Sequence, residues 1–223
     1  MEKKLKKYLK ILKKCPLFFD IEDENLTKML SCLGAKVDFF DKKYTIFAED
    51  RAAKYVGILL SGTAHVIRND YYGNRNIISE IVAGQLFGEA FACADVKALP
   101  VSIIADEPCE VMLIDASHIL HTCHNNCPFH QRMIYNLMRD LAEKTLAFHQ
   151  KIEILSKPTT SEKLMAYLDL YSKKTGKTEF DIPFDRQELA DFLDVDRSGL
   201  SVEIGKLKKR GIIEARKNHF VLL

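Results

Sequence analysis

Phe184 to Ile213 reads FDRQELADFLDVDRSGLSVEIGKLKKRGII, two short helical patterns separated by a sharp turn. Asp185, with Glu188 three residues on, has the form of a capping box, and Leu189, Ala190, Phe192 and Leu193 give the helix it opens an apolar side. The pattern ends at Asp194-Val195. Asp196 then caps a second helix whose apolar positions are Leu200, Ile204 and Leu207. Arg197, Ser198, Ser201 and Val202 fall on the opposite face of its first two turns. In a helix-turn-helix, those residues of the second helix meet base edges in the major groove, and Arg186 and Gln187 open the first helix beside them. Between Arg197 and Lys217 stand Arg197, Lys206, Lys208, Lys209, Arg210, Arg216 and Lys217 against only Glu203 and Glu214. Such a local excess supplies phosphate contacts, expected chiefly from Lys206, Lys208 and Arg216. Two short β patterns, Ile212 to Ala215 and His219 to Leu222, flank a turn at Lys217-Asn218 and have the form of a wing. A plain helical hairpin with a solvated basic face does not account for that tail.

Outward from this segment, the bulk properties are those of a globular chain with room for two modest domains. It has 223 residues, 47% hydrophobic and 29% charged, with a net charge of +2, so its basic character is local. Cys15, Cys32, Cys93, Cys109, Cys123 and Cys127 are scattered, and no cleavable signal pattern precedes them. They read as reduced thiols of a cytoplasmic protein. No apolar run approaches the roughly 20 residues of a membrane span. Lys3 to Lys14 is a lysine-rich amphipathic pattern with Leu5, Tyr8, Leu9 and Leu12 on one side, expected to pack on its own domain rather than on a membrane.

The first half is dominated by strand patterns. Val37–Phe40, Tyr44–Phe47, Tyr55–Leu60, Ala64–Ile67, Ile77–Ile81, Val101–Ala105 and Cys109–Ile114 are short β-rich runs separated by turn signals. Regular short strands of this kind predict an antiparallel roll or barrel. Gly84 to Phe91 reads as a glycine-containing turn entering a short helix, where backbone N–H groups can face a ligand. After Asn125-Asn126-Cys127-Pro128 the chain is predicted helical to Leu155. Ile134, Met138, Leu141, Thr145, Phe148, Ile152 and Leu155 alternate steps of four and three along it, the seam that two parallel helices need to dimerise. Ser156-Lys157-Pro158 breaks this helix, and Thr159-Thr160-Ser161 caps the next, Glu162 to Lys174.

In this order of parts the chain resembles the Crp/Fnr family of bacterial transcription regulators. The residues that carry the resemblance are Tyr55–Gly62, Phe87-Gly88-Glu89, Asp185–Ala190, Val195–Ser201 and Leu207–Ile213. It implies an α+β fold: an N-terminal antiparallel β-roll of the double-stranded β-helix or jelly-roll type, a long dimerisation helix and a C-terminal winged helix. The expected divisions are 1–124 for effector sensing, 125–157 for dimerisation and hinge, and 158–223 for DNA binding. The implied partners are double-stranded DNA bearing a pseudo-palindromic operator, a second copy of the chain, a small-molecule effector and RNA polymerase. The resemblance places the effector pocket at Leu86, Gly88, Glu89, Ala90, Phe91, Leu99, Pro100, Val101 and Phe148.

Departures from the family pattern narrow the effector. Cyclic-AMP-binding members follow their Gly-Glu with an Arg-Ser pair that holds the cyclic phosphate, whereas this chain reads Ala98-Leu99-Pro100-Val101-Ser102. Ala147 and Phe148 stand where those members carry small hydroxyl side chains. A small apolar or aromatic acid is therefore expected in place of a cyclic nucleotide. Iron–sulfur members need an N-terminal cysteine cluster, and Cys15 stands alone. The family usually carries arginine where Val202 stands, which predicts a different or looser half-site.

His118, His121, Cys123, His124, Cys127 and His130 form a further constellation before the long helix. Its spacing lacks the tight pairs of a structural zinc site, so these residues are expected in surface and packing roles, with no metal and no cofactor. Two other readings remain at this point: a redox- or metal-responsive regulator using Cys123 and Cys127 with the nearby histidines, and an effector-independent DNA-binding dimer. No nucleotide loop, HExxH, GxSxG or paired-carboxylate pattern indicates an enzyme, so no catalytic residue is expected.

Overall fold

In the computed structural model, residues 6–69, 75–121 and 128–223 are described. The chain forms two compact units, Met1–Ala142 and Glu143–Leu223. A 3-10 turn, Lys6–Tyr8, leads into helix α1, Leu9–Leu12. Of the lysine-rich pattern expected as one helix from Lys3 to Lys14, Lys6 to Leu12 is helical without a gap and residues 3–5 lie outside the described residues; Pro16, which has no N–H to continue a helix, opens a second 3-10 turn, Pro16–Phe18. The apolar side of the pattern still does its expected work, because Tyr8 and Leu12 are buried in the core. Helix α2, Asp23–Cys32, had no counterpart in the sequence reading.

Eight strands follow in two four-stranded antiparallel sheets. Strands β1 (Lys36–Phe40), β8 (Cys109–Asp115), β3 (Tyr55–Ser61) and β6 (Leu86–Phe87) form one sheet in that order. The other sheet runs β2 (Thr45–Phe47), β7 (Ser102–Ala105), β4 (Thr63–Asn69) and β5 (Arg75–Val82). Period-two alternation sends the two faces of β3 into different cores. Val56, Ile58 and Leu60 join Leu12, Leu17, Phe18, Leu26 and Leu30 beneath the N-terminal helices, and Leu59 joins Ala64, Ile103 and Val111 between the sheets. Helix α3 (Glu89–Cys93) and helix α4 (Ala116–Leu120) extend the helical layer.

The expected glycine turn holds two left-handed glycines, Gly84 (φ 94°) and Gly88 (φ 75°), with β6 between them. Phe87 projects from β6 onto Gly57 of β3, where any Cβ would lie 2.2 Å from its ring. Phe47 packs against the same ring at 5.3 Å between centroids. The long helix α5, Pro128–Leu155, has the predicted extent. Met133 and Leu137 bury into the helical core of the first unit, and buried Asn136 donates to the carbonyls of Leu17 (3.1 Å) and Phe19 (2.7 Å).

The second unit takes the end of α5 with it, because Ile154 packs with Leu164, Leu168, Leu189 and Leu193. Helix α6, Thr160–Thr175, carries a complete capping box between Thr159 and Glu162 and closes on Gly176. Strand β9 (Glu179–Asp181), helix α7 (Arg186–Leu193), helix α8 (Arg197–Lys209) and strands β10 (Ile213–Arg216) and β11 (His219–Leu222) complete it. The wing is a three-stranded sheet in the order β10-β11-β9. No helix among the described residues is long and apolar enough to cross a membrane.

The Gly57–Phe87 contact yields a direct test. Gly57→Ala should destabilise the first unit by about 1–3 kcal/mol through overpacking, read by chemical denaturation. The double variant with Phe87→Leu should lose less than the sum of the two single changes, because the shortened side chain releases the clash.

Candidate nucleic-acid interface and effector region

Three aspartates bound α7 and open α8, each with a different task. Asp185 Oδ1 accepts from the backbone N–H groups of Gln187 (2.7 Å) and Glu188 (2.8 Å), while Glu188 accepts from the Asp185 N–H at 2.7 Å. Asp194 ends α7 in the left-handed conformation (φ 51°, ψ 59°), which a short polar side chain tolerates better than an apolar one. Asp196 Oδ2 accepts the Gly199 N–H at 2.8 Å and the Ser198 hydroxyl. These bonds hold the Asp196 carboxyl below the ordinary carboxylate range, so it caps α8 as an anion. Lys163 Nζ on α6 donates to the carbonyls of Leu193 (3.3 Å) and Asp194 (3.4 Å), fixing the turn from behind.

Leu200, Ile204 and Leu207 are buried in the core of this unit. Arg197, Ser198, Ser201 and Val202 consequently stand on the exposed face of α8. Ser201 Oγ donates to the Arg197 carbonyl at 3.0 Å, leaving its oxygen open to accept. The side chains of Arg197 and Arg216 are exposed with no polar partner among the described residues. Lys206 pairs with Glu203 at 2.6 Å, and Lys208 Nζ donates to the Ala215 carbonyl of the wing at 2.9 Å. Gln187 is exposed and donates to Asp191 at 2.8 Å.

Arg186 differs from the freely exposed contact its sequence position suggested. It is half-buried, its guanidinium lies 5.8 Å from the Phe220 ring centroid, and Nη2 donates to the Lys217 carbonyl at the wing turn, 3.0 Å away. Burial, followed by the nearby Arg197 charge, lowers its pKa, although a guanidinium remains protonated. Its partner lies 31 residues along the chain, so no local pattern announces the bond.

In the first unit, Leu86, Glu89, Leu99 and Val101 of the expected effector set are buried, Gly88 and Phe91 are half-buried, and Ala90 and Pro100 are exposed. Phe148 belongs to the second unit and is exposed. A cavity of about 580 Å³ lies along β2, the loop after it and the start of β3, and of the expected set it touches only Leu99.

His118 meets the Leu33 carbonyl at 2.9 Å, His121 that of Ser117 at 2.8 Å and His130 that of Ile119 at 2.9 Å. Cys123, His124 and Cys127 lie outside the described residues. Burial pushes the thiols of Cys93 and Cys109 up, which makes them poor thiolates.

A roll with a Gly-Glu turn, followed by a long helix and a capped helix-turn-helix with its wing, defines a class: ligand-domain regulators that bind DNA. Residues 37–126 match the Cyclic nucleotide-binding domain family and residues 162–223 the Crp-like helix-turn-helix domain family. The chain belongs to the Crp/Fnr family of transcription regulators, which are not enzymes. No curated protein matches the sequence. Among solved structures, the fold is similar to a Ruegeria pomeroyi protein assigned as cyclic nucleotide binding (TM-score 0.52, 21% identity, covering 98% of this chain and 93% of the other). It is also similar to the c-di-GMP responsive regulator CLP of Xanthomonas campestris (0.51, 18%, 87% and 98%). A third similar fold is DNR of Pseudomonas aeruginosa (0.50, 20%, 96% and 92%).

Removing the cap of α8 tests the geometry of the turn. Asp196→Ala should lower the stability of the second unit by about 1 kcal/mol in thermal melting, while Asp196→Asn retains most of it.

Proposed function

We propose that the protein acts as a homodimer that binds a pseudo-palindromic operator and adjusts that binding to a small effector other than a cyclic nucleotide. The observation that carries the dimer is the exposed stripe on α5. Met138 and Ile152 are each 64% exposed and Phe148 66%, at heptad spacing on a helix that buries Met133 and Leu137 in its first half. Thr145 is exposed on the same stripe, whereas Ile134, Leu141 and Leu155 are half-buried, and Leu141 packs against the core of its own unit. Apolar side chains at such spacing gain by packing against a second copy.

On DNA, Arg197, Ser198, Ser201 and Val202 face base edges, while Lys206, Lys208 and Arg216 favour phosphates, with Arg186 and Gln187 beside them at the start of α7. Two copies joined along α5 present two such heads to half-sites about one helical turn apart. Leu99 stands where the cyclic-AMP-binding members carry a phosphate-holding arginine, and Leu86, Leu99 and Val101 are all buried, which favours a small apolar or aromatic acid over a cyclic nucleotide. The fold by itself does not choose: one similar structure is assigned as cyclic nucleotide binding and another responds to c-di-GMP.

Arg197→Ala should weaken operator binding by about 1–3 kcal/mol and relax the preference at one base pair, measured across a panel of operator variants. An unchanged preference would move the reading surface off α8. Phe148→Glu places a charge in the seam without a partner, so sedimentation should show a monomer with lost operator affinity. Phe148 is the better probe than Leu141, whose replacement would also disturb its own unit, and a stable Phe148→Glu dimer would place the interface elsewhere.

A further inference from the structure

The 580 Å³ cavity beside β2 is lined by three cations, Lys43, Arg51 and Lys54, and by no acid. Its walls are apolar, with Ile46, Phe47, Ala53 and buried Leu99 among them, and Tyr44 and Tyr55 contribute aromatic rings. Lys54 is already engaged, 3.3 Å from Asp115. Arg51 and Lys43 are exposed and have no side-chain partner among the described residues. The nearby acids Glu49 and Asp50 do not line the space.

The segment that forms the walls is anchored by hydrogen bonds to residues 96–105. Lys43 N–H donates to the Ala105 carbonyl (2.7 Å) and Glu49 N–H to the Ser102 hydroxyl (2.9 Å). Asp50 and Arg51 exchange two backbone bonds with Leu99, at 3.0 Å and 2.9 Å, and Ala53 N–H donates to the Val96 carbonyl at 3.0 Å. The backbone of Arg51 is thereby fixed across from that of Leu99, and its guanidinium is left without a side-chain partner among the described residues. A hollow that is anchored before any ligand arrives loses little ordering free energy on binding. Its volume lies within the range of small-molecule sites, which combine apolar walls with a few placed polar groups.

We propose that this cavity binds a small carboxylate with an aromatic body, the carboxylate paired with Arg51 and supported by Lys43, and the body lying over Ile46, Phe47 and Leu99. A planar guanidinium takes a carboxylate through two parallel hydrogen bonds, and the apolar walls exclude a ligand that is polar throughout. The assignment rests on the reading of the first unit as an effector domain and names the chemistry of that effector.

Calorimetry on the full chain tests it, with naphthalene-1-acetate as the probe, naphthalene-1-ethanol as its uncharged analogue and cyclic AMP as a third titrant. The acid should bind once per chain, and the alcohol at least tenfold more weakly. Arg51→Gln should weaken the acid at least tenfold without changing the alcohol, and Ala52→Phe, which fills the space, should abolish both. Equal affinity for acid and alcohol, wild-type affinity in Arg51→Gln, or no saturable binding of the acid would overturn the site. Displacement of the probe by cyclic AMP would overturn the ligand class. Operator binding by the same ligand-free samples is read in parallel: its persistence when the probe does not bind removes this site alone, and its absence in the wild-type chain removes the regulatory reading.

Discussion

Five consecutive buried positions in β3, Val56 to Leu60, leave that strand without a solvent face, so it can exist only with a layer on each side. On one side Val56, Ile58 and Leu60 demand a helical cover, which α1, α2 and the start of α5 provide. On the other, Leu59 and the bare backbone of Gly57 demand a second sheet. The Phe87 ring fills the space that a side chain at Gly57 would otherwise take. Burying this one strand therefore sets the order of layers, the position of β6 and the Gly-Glu turn, and the seat of the long helix. Asn136 makes the seat directional. A buried amide must find partners, and bonds to two carbonyls of the N-terminal segment fix the rotation of α5 about its axis.

In the second unit the same economy is achieved with carboxylates and main chain. Asp185 and Asp196 satisfy N–H groups that would be orphaned where two helices begin close together, and Asp194 supplies the left-handed residue between them. Arg186 and Lys163 then bond to carbonyls at the wing turn and at the end of α7. With Lys208 also donating to the wing, three cations of this unit serve as braces. Their charge still contributes to the field that DNA meets, but their geometry is spent on holding helix, turn and wing as one body. The exposed Arg197 and Arg216 have no such duty.

Both helices of the reading head, their caps, the wing hairpin, the extent of α5 and seven of the strands were legible because each rests on a local rule: a cap three residues from its partner, a step of four and three, or an alternation of two. Features that rest on distant partners were not. Glu179-Phe180-Asp181 has no strand pattern of its own and becomes β9 only because Phe180 registers with Phe220 across the sheet. Leu86–Phe87 is too short to show a period. Arg186 looked like a surface contact until its partner at Lys217 was in place. Leu141 lies on the heptad yet packs on its own core, since one helix stripe can serve two neighbours. The cavity was invisible for a related reason. Its cations stand at 43, 51 and 54, spaced by a loop whose shape is fixed by bonds to residues 96–105.

A helix of 28 residues is a rod of roughly 42 Å, and α5 carries two sets of apolar residues with different surroundings. Met133, Asn136 and Leu137 bind it to the first unit, while Met138, Phe148 and Ile152 remain exposed. An uninterrupted helix has no soft joint between those positions, and no proline or glycine lies between Pro128 and Leu155. At its seat on the first unit Met133 and Leu137 are packed in the core beside the two Asn136 bonds, and side chains packed at interior density shift between discrete positions rather than by degrees.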